Sequence, residues 1–176
     1  NKLVELAHKC GAHMVVLPDY PFQPGIKTID GAVAHYKPIK EAGFKTLFVP
    51  QSKTGDLADW ILTYNWAINN PEIVDGIGMS ILGVPNALPH IPKAYARVVM
   101  TQILKDRGLF GDHTYHHYLG LNAAPNVEIP SLIMMDALDS CDSSNPVWMG
   151  INGLKYNTQQ TDFMPINKKF LREVDF

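Results

Sequence analysis

Cysteine is almost absent: Cys10 and Cys141 are the only two among 176 residues. Two are too few for a disulfide framework, so a reducing, cytoplasmic setting is expected. Neither sign of charge dominates. Fifteen Lys and Arg face seventeen Asp and Glu, for a net charge of −2. That balance gives no overall electrostatic footprint for nucleic acid, although net charge leaves a local basic groove open. No apolar run approaches the ~20 residues of a membrane span, so no membrane partner is expected. No basic segment followed by an apolar stretch marks a secretory signal. The Gly-rich dinucleotide fingerprint and the phosphate-loop motif are also missing. What remains reads as globular, with 46% hydrophobic and 18% charged residues, and the length suits one ordinary domain. Asn1 already stands in a helical pattern, which suggests a segment of something longer.

Helix and strand patterns alternate along the chain. Residues 2–9 read as a helix, closed by Gly11. A short strand over 13–17 runs into Pro18-Asp19-Tyr20-Pro21. A helical stretch near 28–42 contains Pro38, which either kinks it or starts a second short helix. Residues 45–50 form the next strand, ending at Gln51. A helix over 56–69 carries Leu57, Trp60, Ile61, Tyr64 and Ile68 at helical spacing, suited to packing on a sheet. Residues 73–78 predict a third strand. The helix near 91–106 has the cleanest period, through Ile91, Ala94, Tyr95, Val98, Val99, Gln102 and Ile103. Residues 116–121 predict a fourth strand, 127–135 a short helix and 137–141 a fifth strand. The residues after Gly153 are polar and unpatterned until Phe170-Leu171.

Five strands separated by helices imply parallel pairing, because each return needs a crossover. An open doubly wound sheet and a (β/α)8 TIM barrel compete. The missing nucleotide motifs weaken the first. A full barrel needs roughly 250 residues, so the expected fold is α/β of the (β/α)8 type with only about the last five units present. Residues 1–153 would be the partial barrel domain and 154–176 a C-terminal tail. Both architectures put ligands at the carboxyl ends of strands.

Polar residues gather at those ends. Asp139 and Asp142 stand three residues apart at the exit of the last strand, in Leu138-Asp139-Ser140-Cys141-Asp142-Ser143-Ser144-Asn145-Pro146. Two carboxylates so spaced can serve as a nucleophile and its supporting acid, or Asp142 can simply bond backbone amides in a loop. Asp19 between prolines suits either turn chemistry or ligand recognition. Gln51 suits either a loop role or a contact to ligand. Gly78 and Gly120 suit tight strand-to-loop turns. His113, His116 and His117 invite a metal reading, but His116 and His117 would point to opposite faces of a strand; core or substrate-side packing of His117 is expected. Trp60, Tyr64 and Trp66 read as helix-to-sheet packing, and Cys141 as a buried structural thiol. Lys168, Lys169 and Arg172 read as a solvated terminal face.

In order, Val15-Val16-Leu17-Pro18-Asp19, Phe48-Val49-Pro50-Gln51, Asp75-Gly76-Ile77-Gly78, His117-Tyr118-Leu119-Gly120 and the closing Asp139-x-x-Asp142-x-x-x-Pro146 resemble the second part of the guanine transglycosylase family. These are barrel enzymes that exchange guanine in a nucleic acid for a 7-deazaguanine. The resemblance covers roughly residues 1–150. It implies that Asp142 is the nucleophile attacking the sugar C1′, with Asp139 a supporting acidic position beside it. It implies that Asp19 accepts the two donors on the guanine edge, that Gln51 contacts the opposite edge, and that Gly78 lies in the strand whose backbone meets the base. A carboxylate suits this attack, because it can bond an oxocarbenium-like centre and then leave. The chemistry needs no cofactor and no catalytic metal. The implied partners are DNA or tRNA and a 7-deazaguanine base, with homo- or heterodimers open.

Three departures accompany the resemblance. The family's general acid/base, an aspartate in a Ser-Gly-Gly context, would lie before Asn1. The tRNA-modifying members carry Arg after the motif's proline, where Val147-Trp148 stands here. No cysteine follows Cys141, so their structural zinc ligands have no counterpart in these residues. A DNA-modifying branch in phages and genomic islands is compatible with these losses and would work in the host cytoplasm. The alternatives are a non-catalytic barrel subunit or scaffold, and an unrelated barrel hydrolase using the carboxylates or histidines.

Overall fold

A computed structural model describes residues 2–121 and 125–151. The expected tail, 154–176, lies outside them. The elements run α1 (Lys2–Lys9), β1 (Met14–Val16), α2 (Gly25–Glu41), β2 (Lys45–Phe48), α3 (Leu57–Ile68), β3 (Gly76–Gly78), α4 (Gly83–Ala87), α5 (Lys93–Asp106), β4 (Tyr115–Tyr118), α6 (Pro125–Met134), β5 (Ser140–Cys141) and α7 (Asn145–Ile151). The five strands form one sheet in the order β1-β2-β3-β4-β5. Every neighbouring pair is parallel, with Val16 opposite Leu47, Leu47 opposite Gly76, Gly76 opposite Tyr115 and His117 opposite Ser140. Among the described residues the order never reverses, so these five strands show no switch point of a doubly wound fold. It curls as a half-barrel, compatible with part of a β/α barrel. Among the described residues no helix is long and apolar enough to cross a membrane.

Alternation along the strands sorts the side chains. Phe48 meets the Trp66 ring of α3, and the Tyr118 hydroxyl meets Thr101 of α5, so these residues face the helices. Leu47, Gly76, Gly78, Tyr115, His117 and Ser140 share the other, concave face. On α3 the expected stripe is buried at Trp60, Ile61 and Tyr64, joined by Thr63 and Ala67. The Asp56 carboxylate caps this helix by accepting from Asp59 N–H at 3.0 Å, satisfying one of its orphan donors.

α5 departs from expectation. Its buried face is Ala96, Arg97, Met100, Thr101 and Leu104, not the Ile91–Ile103 stripe. The reason is a charge neutralised inside. The Arg97 guanidinium donates to Glu128 through Nε at 2.5 Å and Nη2 at 2.7 Å, and both side chains are buried. Its Nη1 donates to the carbonyls of Met79 at 3.0 Å and Leu119 at 2.7 Å. Arg97 therefore ties the exits of β3 and β4 to α6. α2 runs unbroken through Pro38; the proline costs one hydrogen bond close to the helix end, where little helix remains to disrupt. α4 and α7 were not anticipated, since short Gly- and Pro-containing segments carry no readable period. The third strand starts at Gly76 because Ile73 and Val74 amides turn back to Asn70. The fifth starts at Ser140 because the Ala137 amide closes α6 on Leu132.

His116 is buried between these layers, stacked on Phe110 with ring centroids 4.3 Å apart. Its Nε2 lies 2.8 Å from the Tyr64 hydroxyl, which also accepts from Gly111 N–H at 3.1 Å. Burial pushes its pKa down from 6.5 to about 4. The folded state thus binds fewer protons than the unfolded state between those values, so stability is lost as pH falls from 6.5 toward 4. The depression corresponds to roughly 3 kcal/mol. Urea unfolding at stepped pH is expected to show this slope in the native chain and to lose most of it in His116→Gln. Equal slopes in the two proteins would contradict the assignment.

Candidate active site

Polar groups meet at the carboxyl edge of the sheet in two clusters. The first joins the exits of β1 and β2. Gln51, almost fully buried, donates through Nε2 to Asp19 Oδ2 at 2.7 Å. The amide orientation follows, because an ionised carboxylate only accepts. Gln51 Oε1 is then left buried with no hydrogen-bond partner among the described residues. The amide is held sterically by Gly83, where an added Cβ would come within 2.8 Å of Oε1. α4 approaches this closely because Ser80 Oγ, at the β3 exit, accepts from the Leu82 and Gly83 amides, each at 3.1 Å. Around α4 a cleft of about 290 Å³ is lined by Leu82, Pro85 and Asn86 together with Phe22, Ile81, Pro89, Ile91 and Lys93. Phe22 is half exposed and sits at φ 64°, an uncommon conformation for a bulky residue.

Gly78 lies on the concave face of β3, where an added Cβ would stand 2.7 Å from Leu119 Cδ1 and 2.9 Å from Val49 Cγ2. Its missing side chain lets neighbouring strands' side chains close over the sheet. Gly78 makes no hydrogen bond with Asp19, Gln51 or Asp142.

The second cluster joins β4 and β5. Asp142 follows β5, and its side chain is about half exposed. Its Oδ1 accepts from Gly120 N–H at 2.8 Å and from His117 Nε2 at 3.1 Å. Gly120 turns its amide there by adopting φ +67°, a conformation that favours glycine. The Asp142 main chain is fixed as well, its carbonyl accepting from Leu121 N–H at 2.6 Å. Among the described residues Oδ2 accepts no hydrogen bond. Behind Asp142, Ser140 Oγ lies 2.6 Å from His117 Nδ1 and 2.5 Å from the Tyr115 hydroxyl.

Asp139 does not stand beside Asp142 as a supporting acid. It precedes β5 while Asp142 follows it, and its carboxylate accepts from His116 N–H at 2.6 Å while its own amide donates to His116 O. Asp75 does the same between β2 and β3: its carboxylate accepts from Thr46 N–H at 2.7 Å, and its amide donates to Thr46 O. Each aspartate clamps the start of a strand to its neighbour. Burial raises the Asp75 pKa, but hydrogen bonds from Lys40 and Thr46 outweigh it and hold the carboxyl below its ordinary value.

Cys141 is exposed rather than buried, because β5 is the sheet's edge strand in the described residues. His113 is exposed, His116 faces the helices and His117 faces Asp142, so the three do not converge. Among the described residues no group of three or more His, Cys, Asp or Glu could hold a metal ion. Sequence reasoning passed over Ser140, Tyr115 and the pairing of His117 with Asp142. The usable signal was alternation: aligning two parallel strands at their exits puts His117, Ser140 and Asp142 on one face.

Comparison of the chain with protein-family models, curated proteins and solved structures finds no match.

Proposed function

We propose that this chain carries the base-binding and nucleophilic half of a (β/α)8 guanine transglycosylase site, exchanging guanine in DNA or tRNA for a 7-deazaguanine. The observation that carries the reading is Asp142, with one carboxylate oxygen held by two donors and the other accepting no hydrogen bond among the described residues. A nucleophile needs that asymmetry: a fixed orientation and a free lone pair. Oδ2 attacks the sugar C1′ as the C1′–N9 bond breaks, and guanine leaves with the bonding electrons and takes up a proton. The incoming base then attacks C1′, loses its N9 proton and releases the Asp142 carboxylate.

Asp19 and Gln51 support the same reading from across the sheet. Guanine presents two donors on one edge and acceptors on another. A carboxylate and an amide already 2.7 Å apart offer the complementary pair. In a closed eight-stranded barrel the first and last of five consecutive strands stand on opposite sides of the lumen, so a base held at β1 and β2 would turn its sugar toward β5. The test is exchange of radiolabelled guanine into duplex DNA and into tRNA by the native full-length protein. Incorporation into either supports the reading and identifies the polymer. Absence of incorporation into both contradicts it.

A further inference from the structure

We infer that His117 is the positioning residue for Asp142, and that Ser140 and Tyr115 set its proton. The inference rests on the transglycosylase reading for its reaction but on the concave-face geometry for its parts. An ionised Asp142 can only accept, so His117 Nε2, 3.1 Å away, carries the hydrogen. In the neutral imidazole Nδ1 is then an acceptor, and Ser140 Oγ–H donates to it across 2.6 Å. Ser140 has spent its one hydrogen, so its oxygen accepts from the Tyr115 hydroxyl at 2.5 Å. One direction of donation satisfies the whole chain: Tyr115 to Ser140, Ser140 to His117, His117 to Asp142.

That direction has a consequence for the carboxylate. His117 and the Gly120 amide converge on the same oxygen, Oδ1. Rotation about the Asp142 side chain would break both bonds, so Oδ2 is kept pointing away as the attacking atom. His117 itself is fixed on both ring nitrogens, by Ser140 of β5 and by Asp142 just after it, and the β4–β5 register that puts His117 opposite Ser140 brings them together. Orienting a catalytic group through a second residue that fixes its tautomer is a general device. The histidine here acts on the nucleophile's geometry and takes no proton from it.

The test measures single-turnover formation of the covalent protein–oligonucleotide adduct, with oligonucleotide affinity measured separately. His117→Ala is expected to slow adduct formation about 100-fold, the scale of a nucleophile misplaced by about 1 Å, with affinity unchanged. His117→Gln, whose amide can still donate to Oδ1, is expected to recover much of the rate. Ser140→Ala is expected to slow it roughly 3- to 10-fold, the worth of one net hydrogen bond. A His117→Ala rate equal to native, or a loss confined to affinity, overturns the inference. ¹⁵N NMR of the His117 ring provides an arm independent of activity. The native chain is expected to show the Nε2–H tautomer, and Ser140→Ala a mixed population. An Nδ1–H tautomer in the native chain overturns the inference. Native protein that forms no adduct but keeps the Nε2–H tautomer, with the switch in Ser140→Ala, sinks the transglycosylase reading and supports the His117–Asp142 arrangement.

Discussion

Glu128→Ala is expected to lower the free energy of unfolding by about 3–5 kcal/mol, the range for stranding one member of a buried ion pair. Glu128 accepts both Nε and Nη2 of Arg97, and neither side chain reaches solvent. Burial pushes the Glu128 carboxyl up even against the pull of Arg97. Both facts describe a low-dielectric site in which a lone guanidinium is costly. An apolar replacement of both partners often restores stability elsewhere. It should not do so fully here, because Arg97 also serves the Met79 and Leu119 carbonyls. Each carbonyl left unpaired costs about 1–3 kcal/mol. Urea unfolding followed by near-UV circular dichroism measures the difference between native and variant chains. A loss under about 1 kcal/mol for Glu128→Ala would mean that the pair is not buried in solution.

Asp142→Asn is expected to separate activity from stability. Asparagine keeps an Oδ1 acceptor for Gly120 and His117 but replaces the attacking oxygen with a nitrogen that bears no usable lone pair. Loss of a covalent nucleophile lowers turnover by on the order of 10⁴-fold or more. The side chain is half exposed, so unfolding should change by no more than about 0.5 kcal/mol. A variant that loses both together would point to a structural aspartate capping the β4–β5 exit. A variant that keeps base exchange would remove Asp142 from the chemistry.

The alternation of helix and strand was legible because α3 and the strands obey simple periods. α5 was misread by two positions for a chemical reason. Arg97 scores as a surface residue until its partner Glu128, on another helix, is known. Asp139 was misread because spacing alone cannot tell which end of a two-residue strand a carboxylate serves. The parallel with Asp75 becomes visible only once Thr46 and His116 are each seen bonded to the aspartate that precedes the next strand. Asp19 and Gln51 were each legible as polar residues at strand exits, but their contact depends on strands β1 and β2 being neighbours. His117 was weighed as a packing residue, and its bond to Asp142 follows from the β4–β5 pairing, which no local pattern announces. α4, which presses Gly83 on the Gln51 amide, has too few residues to show a period.

The central claim is that Asp142 bonds the sugar carbon. The native full-length protein incubated with guanine-containing duplex DNA and with tRNA, denatured and digested, should yield one peptide carrying a nucleic-acid adduct, with peptide mass spectrometry placing the ester on Asp142. An adduct on another residue, an adduct that persists in Asp142→Asn, or no adduct with either polymer would contradict the account.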